Sequence, residues 1–345
     1  MNTEERRDLH EAVVGVCGEP AADGWHPEVW RALDEIGVTA LPVSEEAGGG
    51  GAGLSAATTV LIALGSVAAS VPAVETGLLA GWLLDRTGAE LPGGVLTAAV
   101  ADGLEIRPVN DGWLVSGTVT RVPWARCADR VVLLSPLDGG HCVVVVPLAG
   151  AEIRPGVNVA WEPRDDVTLS SHLVPAGDLH RVESADGLAA DFSRRAAFGR
   201  AAQMAGAAQG VYERAVRYAG QRHQFGRPLA ALQAVQQQLA ELAAEASAMT
   251  VAVEAAASAV DQDPAEDWPL EAARVRVAEG ARTVAAIGHQ IHGAIGFTDE
   301  HPLHLLTTRL WAWREEYGNQ ATWCDRLGTE LTWKDGTSLW QRITG

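Results

Sequence analysis

An α+β fold, mainly α-helical, is predicted for this chain of 345 residues, and three observations predict it. Ala- and Leu-rich segments with helical periodicity occupy residues from about 3 to 88. Short β-branched runs separated by turn sequences follow, from about residue 93 to 182. Long segments with helical periodicity and few breakers then run from about residue 185 to the end. Because alternating βαβ units are missing, the helices and strands are expected to form separate layers.

These changes of composition predict three domains. They are an N-terminal helical domain over residues 1–92, a middle antiparallel β domain over 93–184 and a C-terminal four-helix bundle over 185–345. In the first domain, Leu54–Ala69 and Pro72–Arg86 are predicted helices, because their apolar runs are long and contain few breakers. The glycine-rich stretch before them is expected to form a loop.

The middle domain is predicted from hairpin signals. Asn-Asp-Gly precedes the β-branched run Trp113–Val119, and Asp-Gly-Gly separates Arg130–Leu134 from Cys142–Pro147. Both tripeptides favour the tight turns that join antiparallel strands. The C-terminal bundle is predicted from four long helical segments, which are Phe192–Ala219, Leu229–Val260, Pro269–Ile291 and Pro302–Tyr317.

The charge balance restricts the kinds of partner. The chain has 26 basic and 44 acidic residues and a formal net charge of −18. A protein with this negative charge is repelled by phosphate backbones and by anionic lipid surfaces. Neither nucleic acid nor a membrane is therefore an expected partner. An anionic small ligand would need a local cluster of arginines.

Other classes are disfavoured by the motifs that the sequence lacks. The four cysteines are far apart and form no CxxC pair, so neither a metal site nor a disulfide framework is expected. A strand–GxGxxG–helix segment of the Rossmann type is missing. The N-terminal residues have no apolar signal-peptide core, and every apolar stretch is too short to span a bilayer, so a cytoplasmic location is expected.

The first candidate binding segment is Tyr218–Gln238, which reads YAGQRHQFGRPLAALQAVQQQ. A helix is predicted to end near Gln224, and after a turn the next helix begins with several glutamines. The guanidinium fork of Arg222 matches the geometry of a phosphate, and Phe225 at the turn is suited to lie against a planar ring. An ordinary helix hairpin with a solvated arginine explains the same residues.

The second candidate segment is Gln290–Phe297, which reads QIHGAIGF. Its two glycines end a predicted helix and permit positive φ and a close approach of backbone to a ligand. Gln290 offers a side-chain amide, and the glycine peptides offer N–H donors. A plain helix C-cap followed by a tight turn is the alternative interpretation.

Together the two segments resemble the C-terminal domain of acyl-CoA dehydrogenases. In that family the first motif reads approximately YAxxRxQFGxPxxxxQxxQ and the second QxxGGxGFTxExP, and their separation here is similar. The order of helices, β domain and helical bundle also fits the family. The resemblance covers most of the chain and is strongest from about residue 192 to 318.

The resemblance implies FAD as the cofactor, bound between subunits. It implies that Arg222, Phe225 and Gln233 contact the cofactor of a neighbouring subunit, and that Gln290 and Gly293 contact its adenosine-pyrophosphate part. It further implies an acyl-CoA substrate, a homo- or hetero-tetramer, and an electron-transfer flavoprotein as a candidate partner.

The resemblance also implies a carboxylate that removes the α-proton of the thioester. Alignment on Gly318 puts Tyr317 at that position, and a phenol with a pKa of about 10 is a poor base at neutral pH. A shift of one residue makes Glu316 the predicted base, with a solvated helix-end charge as the alternative interpretation. A second family position, within Arg195–Phe198, contains no carboxylate.

Three functions follow from these residues. The first is FAD-dependent α,β-dehydrogenation of an acyl-CoA thioester, with Glu316 as the base. The second is a subunit of a heteromeric acyl-CoA dehydrogenase that lacks its own base. The third is a flavin monooxygenase on the same fold. The acyl chain of the substrate stays open, because one methylene changes selectivity by only about 1–3 kcal/mol.

Overall fold

A computed structural model describes residues 1–18, 24–182 and 187–333, the last four of these as backbone only. The described residues fall into two compact units. One unit, here called the helical unit, contains the first helix, Thr58–Ala69 and the chain from Ala197 onward. The other, here called the sheet unit, contains the rest of the described chain up to Ala196. The domain boundaries at residues 92 and 184 stay predictions.

The helices confirm the predicted order of elements. They are α1 (Thr3–Cys17), α2 (Pro27–Glu35), α3 (Gly53–Ser66), α4 (Trp82–Asp85), α5 (Leu188–Gln221), α6 (Gln233–Gln262), α7 (Trp268–His292), α8 (Leu303–Glu315) and α9 (Gln320–Trp333). A π-helical segment, Val74–Gly81, leads directly into α4. The four predicted C-terminal helices correspond to α5–α8, and α9 is a further helix that the sequence pattern did not indicate.

One predicted boundary differs from the structure at the start of α6. The helix begins at Gln233, whereas the apolar pattern predicts a start at Leu229. Residues Leu229–Ala231 instead form a single 3₁₀ turn after Pro228. Because the backbone of Leu232 is extended, the α-helix starts one residue later, and Gln233 becomes its first residue.

In the helical unit, α3 packs closely against α5 because glycines remove side chains from the contact. A Cβ atom added at Gly206 would overlap the backbone carbonyl of Ile62, and one added at Gly65 would overlap that of Gln203. Only glycine allows the two backbones to approach this far. The close contact fixes α5, which carries several residues of the candidate site.

The rest of the helical unit is arranged around α7. This helix packs against α6, and it also contacts α8 and α9. Its buried face is made largely of small and branched residues, including Ala273, Val277, Ala281 and Val284. Helix α7 therefore holds α6, α8 and α9 in fixed positions, and with them the turns at the ends of α7 and α8.

The sheet unit contains two four-stranded sheets. Their strands are β1 (Leu96–Val100), β2 (Glu105–Val109), β3 (Gly112–Pro123), β4 (Arg130–Leu137), β5 (Gly140–Pro147), β6 (Glu152–Arg154), β7 (Arg164–Pro175) and β8 (Leu179–Val182). One sheet has the order β1-β4-β5-β8 and the other β2-β3-β7-β6. Every pairing is antiparallel except β1 with β4. The exception follows from connectivity, because β2 and β3 lie between β1 and β4 in the chain and pair in the other sheet.

The predicted hairpins are present. Strands β2 and β3 pair across Asn110 and Asp111, and strands β4 and β5 pair across Asp138 and Gly139. Asp138 and Gly139 both have positive φ, 49° and 82°, which is the conformation of the turn that Asp-Gly favours. Valines and leucines from both sheets form one core, which includes Val115, Val131, Leu133, Val144, Val167 and Leu169.

Candidate cofactor and catalytic site

The turn after α5 carries three of the predicted cofactor residues. Two short strands, His223–Gln224 and Arg227–Pro228, pair across Phe225 and Gly226, whose φ angles are 53° and 74°. The backbone N–H of Leu229 donates to the carbonyl oxygen of Arg222 at 2.8 Å, which closes the turn. The segment is therefore a small ordered hairpin, here called the Phe225 hairpin, as its glycine and proline predict.

The Phe225 hairpin presents its functional side chains to solvent. Phe225 is 86% exposed, and its left-handed backbone is uncommon for a bulky residue. Arg222 and Gln233 are also exposed. The Phe225 ring is thus accessible for contact with another molecule.

The turn after α7 carries the other two predicted cofactor residues. The helix ends at His292, and Gly293 follows with a φ of 64°, its N–H donating to the carbonyl oxygen of His289. A 3₁₀ turn, Gly293–Phe297, comes next. Gln290 and Gly293 are exposed. The glycine thus serves as a helix C-cap, as one interpretation of the sequence predicts, and its peptide is at the same time accessible.

Gln290 and Gly293 lie together in a cleft of about 490 Å³ in the helical unit. The cleft is lined by Arg282, Ala285, Ala286, His289, Gln290, Gly293, Phe297 and Trp311. Arg222, Phe225 and Gln233 do not line it. Within one chain, the structure therefore brings together the second predicted motif and leaves the first motif apart from it.

The lining of this cleft fits a part of FAD. The Phe297 ring is 71% exposed, and the His289 ring stacks on it at 4.1 Å between ring centroids. His289 Nε2 lies 3.0 Å from Thr307 Oγ1, which fixes the imidazole. Aromatic faces suit a planar purine, and the Arg282 guanidinium suits a diphosphate. The cleft is of a size usual for small-ligand sites.

Several histidines surround the same turn. Tyr218 stacks on His292 with ring centroids 4.7 Å apart, and His292 lies 4.5 Å from His301. The Nδ1 atom of His301 accepts a hydrogen bond of 3.1 Å from the backbone N–H of Leu303 at the start of α8. Burial, together with the neighbouring His292 and Arg214, lowers the pKa of His301 to about 4. His301 is therefore neutral at physiological pH and holds the beginning of α8.

The predicted base, Glu316, is an ion-paired residue in the helical unit. It follows the last residue of α8, and its side chain is only 11% exposed. Arg200 Nε donates to Glu316 Oε2 at 2.8 Å, and the Arg200 side chain is 2% exposed. The neighbouring Glu315 is exposed. Glu316 is thus mostly buried, unlike the solvated helix-end charge that was the alternative interpretation.

Arg274 holds the backbone around Glu316. Its side chain is fully buried, and its Nη2 donates to four backbone carbonyl oxygens, those of Trp313 at 3.0 Å, Arg314 at 2.7 Å, Glu316 at 3.1 Å and Gly318 at 3.1 Å. A cation at the C-terminal end of a helix also interacts favourably with the helix dipole. Burial lowers the pKa of Arg274 to about 10, and the Glu316 and Glu315 carboxylates oppose that shift.

The segment Glu316–Gly318, here called the α8 turn, is held at its middle residue as well. Trp323 Nε1 donates to the carbonyl oxygen of Tyr317 at 3.1 Å, and Trp323 is buried. Tyr317 has a φ of 56°, and Gly318 has a φ of 100°. A left-handed tyrosine is uncommon and persists only where the surroundings fix it. Here Arg274 and Trp323 fix all three carbonyls of the α8 turn.

The second family position for the base is largely buried, and so is one tryptophan of the sheet unit. In the second family position for the base, Ala196, Ala197 and Phe198 are fully buried, and no carboxylate is present. In the sheet unit, Trp124 is 2% exposed and lies 6.2 Å from Trp25, measured between ring centroids. Trp124 is therefore part of the core of the sheet unit.

Sequence reasoning missed Arg200, Arg274 and Arg282. Arg200 and Arg274 lie in long helices among small apolar residues, where a charged side chain is almost never fully buried unless it is paired. An arginine within an otherwise apolar helix is therefore the sequence signal for a buried, paired charge at Arg200 and Arg274. Arg282 shares a helix face with Gln290, because eight residues make slightly more than two turns.

Three features of the described residues concern metal ligands, thiols and helix length. There, no group of three or more His, Cys, Asp and Glu is arranged to hold a metal ion. Cys17, Cys127 and Cys142 are free thiols, and burial raises the pKa of each to about 11. Within residues 1–18, 24–182 and 187–333, every helix is too short or too polar to cross a bilayer.

Comparison with known proteins identifies the family. Residues 3–91 match the model of the acyl-CoA dehydrogenase N-terminal domain, and residues 190–330 match that of the C-terminal domain. The chain is 30% identical over 305 residues to the acyl-CoA dehydrogenase FadE27 of Mycobacterium tuberculosis, with 80% of each chain covered. This chain belongs to the acyl-CoA dehydrogenase family, which consists of flavin-dependent oxidoreductases that use FAD.

Two solved structures show the same fold. The ChsE4–ChsE5 complex of M. tuberculosis matches with a TM-score of 0.83 and 24% identity, covering 96% of this chain and 98% of the other. A glutaryl-CoA dehydrogenase of Mycobacterium smegmatis in complex with FADH2 matches with a TM-score of 0.84 and 17% identity, covering 96% and 95%. The predicted fold class is therefore confirmed.

Proposed function

We propose that this chain is a subunit of a heteromeric, FAD-dependent acyl-CoA dehydrogenase in which another chain provides the catalytic carboxylate. One observation carries this proposal: the carboxylate predicted as base, Glu316, is held by Arg200 at 2.8 Å. A base must accept the α-proton, and a close guanidinium stabilises the carboxylate in its charged form instead. Tyr317, which aligns with the family position, is a poor base.

In this proposal the chain contributes residues that hold FAD. When bound, FAD accepts the hydride that leaves the β-carbon of the acyl-CoA. Gln290 and the exposed Gly293 lie in one cleft with Arg282, which offers a side-chain amide, a position without a side chain for close approach, and a positive charge to the adenosine-diphosphate part. That local positive charge offsets the formal charge of −18, which would otherwise disfavour a diphosphate.

The Phe225 hairpin supports the need for a second chain. Phe225 is 86% exposed, and Arg222 before the hairpin and Gln233 at the start of α6 are also exposed. We assign these three residues to the cofactor bound on a neighbouring subunit, as the family motif implies. A hetero-tetramer would give the exposed residues a neighbouring cofactor and would provide the catalytic carboxylate in place of Glu316. An electron-transfer flavoprotein is the proposed electron acceptor.

The decisive experiment compares the purified chain alone with the chain co-expressed with candidate partner subunits of the same family. We expect little turnover of acyl-CoA by the chain alone, and bound flavin with turnover in the mixed complex. Absorbance near 450 nm measures flavin, and reduction of a dye acceptor measures turnover.

A substitution at Glu316 distinguishes the two candidate functions. In the mixed complex, Glu316→Gln should leave turnover within about twofold, because the partner provides the base. If the chain alone oxidised acyl-CoA and Glu316→Gln abolished that activity while flavin stayed bound, Glu316 would be the base and the heteromeric proposal would be wrong.

A further inference from the structure

We propose that Arg200 restrains Glu316, so that replacing Arg200 increases the ability of this carboxylate to abstract an α-proton. The inference rests on the proposed function and names the residue that makes the chain depend on its partner. It concerns a positioning residue, because Arg200 is argued to act through Glu316.

The pair is enclosed rather than exposed at the surface. Arg200 is 2% exposed and Glu316 is 11% exposed, so little water competes with their contact. An ion pair at a protein surface contributes little, whereas breaking a desolvated pair leaves each charge buried and uncompensated. The Glu316 carboxylate is therefore not free to turn between Arg200 and a substrate.

Each member of the pair is also fixed from its own side. Arg200 Nη1 donates to Gln203 Oε1 at 2.8 Å, one turn further along α5. The guanidinium carbon of Arg200 lies 5.9 Å from the centroid of the Tyr317 ring. On the other side, Arg274 donates to the carbonyl of Glu316 at 3.1 Å, which fixes the backbone of the α8 turn. Neither member can move away without breaking further contacts.

A second positive charge near the pair also favours the charged form of Glu316. The fully buried Arg274 places a second guanidinium close to Glu316, and the interaction is strong enough to affect the ionisation of Arg274. Two cations beside one carboxylate oppose the transfer of a proton to it. Replacing Arg200 removes a cation that donates directly to the carboxylate, whereas Arg274 stays engaged with four carbonyl oxygens.

The reaction made possible by the change is a simple proton transfer. The Glu316 carboxylate would take the α-proton of an acyl-CoA, so that a C–H bond breaks, an O–H bond forms and the electron pair moves into the thioester enolate. In D2O the protonated Glu316 exchanges with solvent, and the enolate takes back a deuteron. Exchange at the α-carbon thus needs no oxidant and can be measured without turnover.

The test measures deuterium incorporation into butyryl-CoA and octanoyl-CoA by mass spectrometry, using the full chain with FAD added. We expect exchange near background for the natural chain and at least about tenfold more for Arg200→Met. The double variant Arg200→Met, Glu316→Gln should return to background. Arg276→Met is the matched control. Arg276 forms an ion pair of 2.7 Å with Glu245 in the same helical unit, and its replacement should leave the α-hydrogen exchange unchanged.

A second measurement needs no substrate. In protein labelled with carboxyl-¹³C glutamate, the Glu316 signal is identified by its loss in Glu316→Gln. Its titration midpoint should lie higher in Arg200→Met than in the natural chain, and Arg200→Lys, which keeps the charge, should lie between them. Arg200→Lys also tests the idea if Arg200→Met is poorly folded.

The proposal fails if the natural chain already exchanges the α-hydrogen through Glu316, or if the Glu316 titration is the same with and without Arg200. It also fails if Arg200→Met is folded, shows a raised Glu316 midpoint, binds acyl-CoA and gives no gain in exchange. The proposed function is judged separately, by flavin content and turnover of the natural chain with its partner, which do not depend on these variants.

Discussion

The α8 turn and the Phe225 hairpin carry two parts of the predicted site, and their surroundings are opposite. The α8 turn is fixed from inside the chain, since Arg274, Trp323 and Arg200 hold its backbone and its carboxylate. The Phe225 hairpin is closed by its own backbone hydrogen bonds, and its ring is 86% exposed. One part is thus held by buried contacts within the chain, and the other is exposed to solvent.

This difference predicts how substitutions in each part of the site affect the stability of the chain. A turn held by buried groups loses stability when any one of them is removed, because buried polar atoms are then left unsatisfied. An exposed hairpin loses little stability, but any contact it makes in an assembly is lost directly. Stability and assembly are therefore expected to respond to different substitutions, and four predictions test this separation.

The largest effect is expected from Arg274→Met, which should lower the free energy of unfolding by about 3–5 kcal/mol. Four backbone carbonyls in the helical unit would lose their donor, and the C-terminal end of α8 would lose a compensating cation. Urea denaturation followed by circular dichroism measures the change. Arg276→Met is the control and should cost about 1 kcal/mol or less, since its ion pair is half-buried. Equal effects of the two substitutions would contradict the assigned role of Arg274.

Gly318→Ala should lower the free energy of unfolding by about 2 kcal/mol. Gly318 has a φ of 100°, and an added Cβ would lie 2.9 Å from Trp323 Nε1, the donor that holds Tyr317. The thermal unfolding midpoint reports the loss. Gly15→Ala is the matched control, because Gly15 lies inside α1 with open space around it, and alanine there should be neutral or stabilising. A neutral Gly318→Ala would mean that the α8 turn is not held as described.

Phe225→Ala should weaken flavin retention in the assembled protein about tenfold, or about 1.4 kcal/mol, while unfolding of the chain stays nearly unchanged. The ring is 86% exposed and contributes little to the core of its own chain. Flavin fluorescence during dilution measures retention. Val251→Ala removes another exposed apolar side chain, 62% exposed on α6, and should leave retention unchanged. If Phe225→Ala destabilised the chain and spared the flavin, the contrast between the two turns would be lost.

The smallest effect is expected from pH. The folded-state pKa of His301 is about 4, below the 6.5 of an unperturbed histidine, so the unfolded chain binds more protons between these values. Stability should therefore fall as pH falls, by about 1 kcal/mol between pH 7 and pH 5.5. His301→Asn keeps a side-chain acceptor for the Leu303 N–H and does not titrate, so its loss over the same range should be smaller. An identical pH dependence of the two proteins would show that His301 is not responsible.

The sequence anticipated the local elements well, for reasons that can be named. Alternating β-branched residues with Asp-Gly turns predict hairpins, and β4 and β5 pair as expected. A glycine after a long apolar helix predicts a C-cap, and Gly293 has positive φ. The parallel pairing of β1 with β4 was not indicated, because it depends on two strands that are 34 residues apart in register, as Leu96 and Arg130 are.

The candidate site was only partly predictable. Gln290 and Gly293 share a cleft because they lie three residues apart at the C-terminal end of α7. Arg200 and Glu316 are 116 residues apart, and their sequence neighbours give no sign that they meet. The same is true of Arg274, whose four acceptors lie 39 to 44 residues further along the chain.

The order of helices and strands, the negative net charge and the two motifs that identify the family can all be recognised from the amino-acid sequence. These depend on periodicity, turn chemistry and residue identity, all of which are local properties. The pairing of Glu316 with Arg200 and the exposure of Phe225 depend on the tertiary structure. Burial and ion pairing arise when distant helices pack together, so the chemistry of a carboxylate depends on neighbours that its own segment of sequence does not contain.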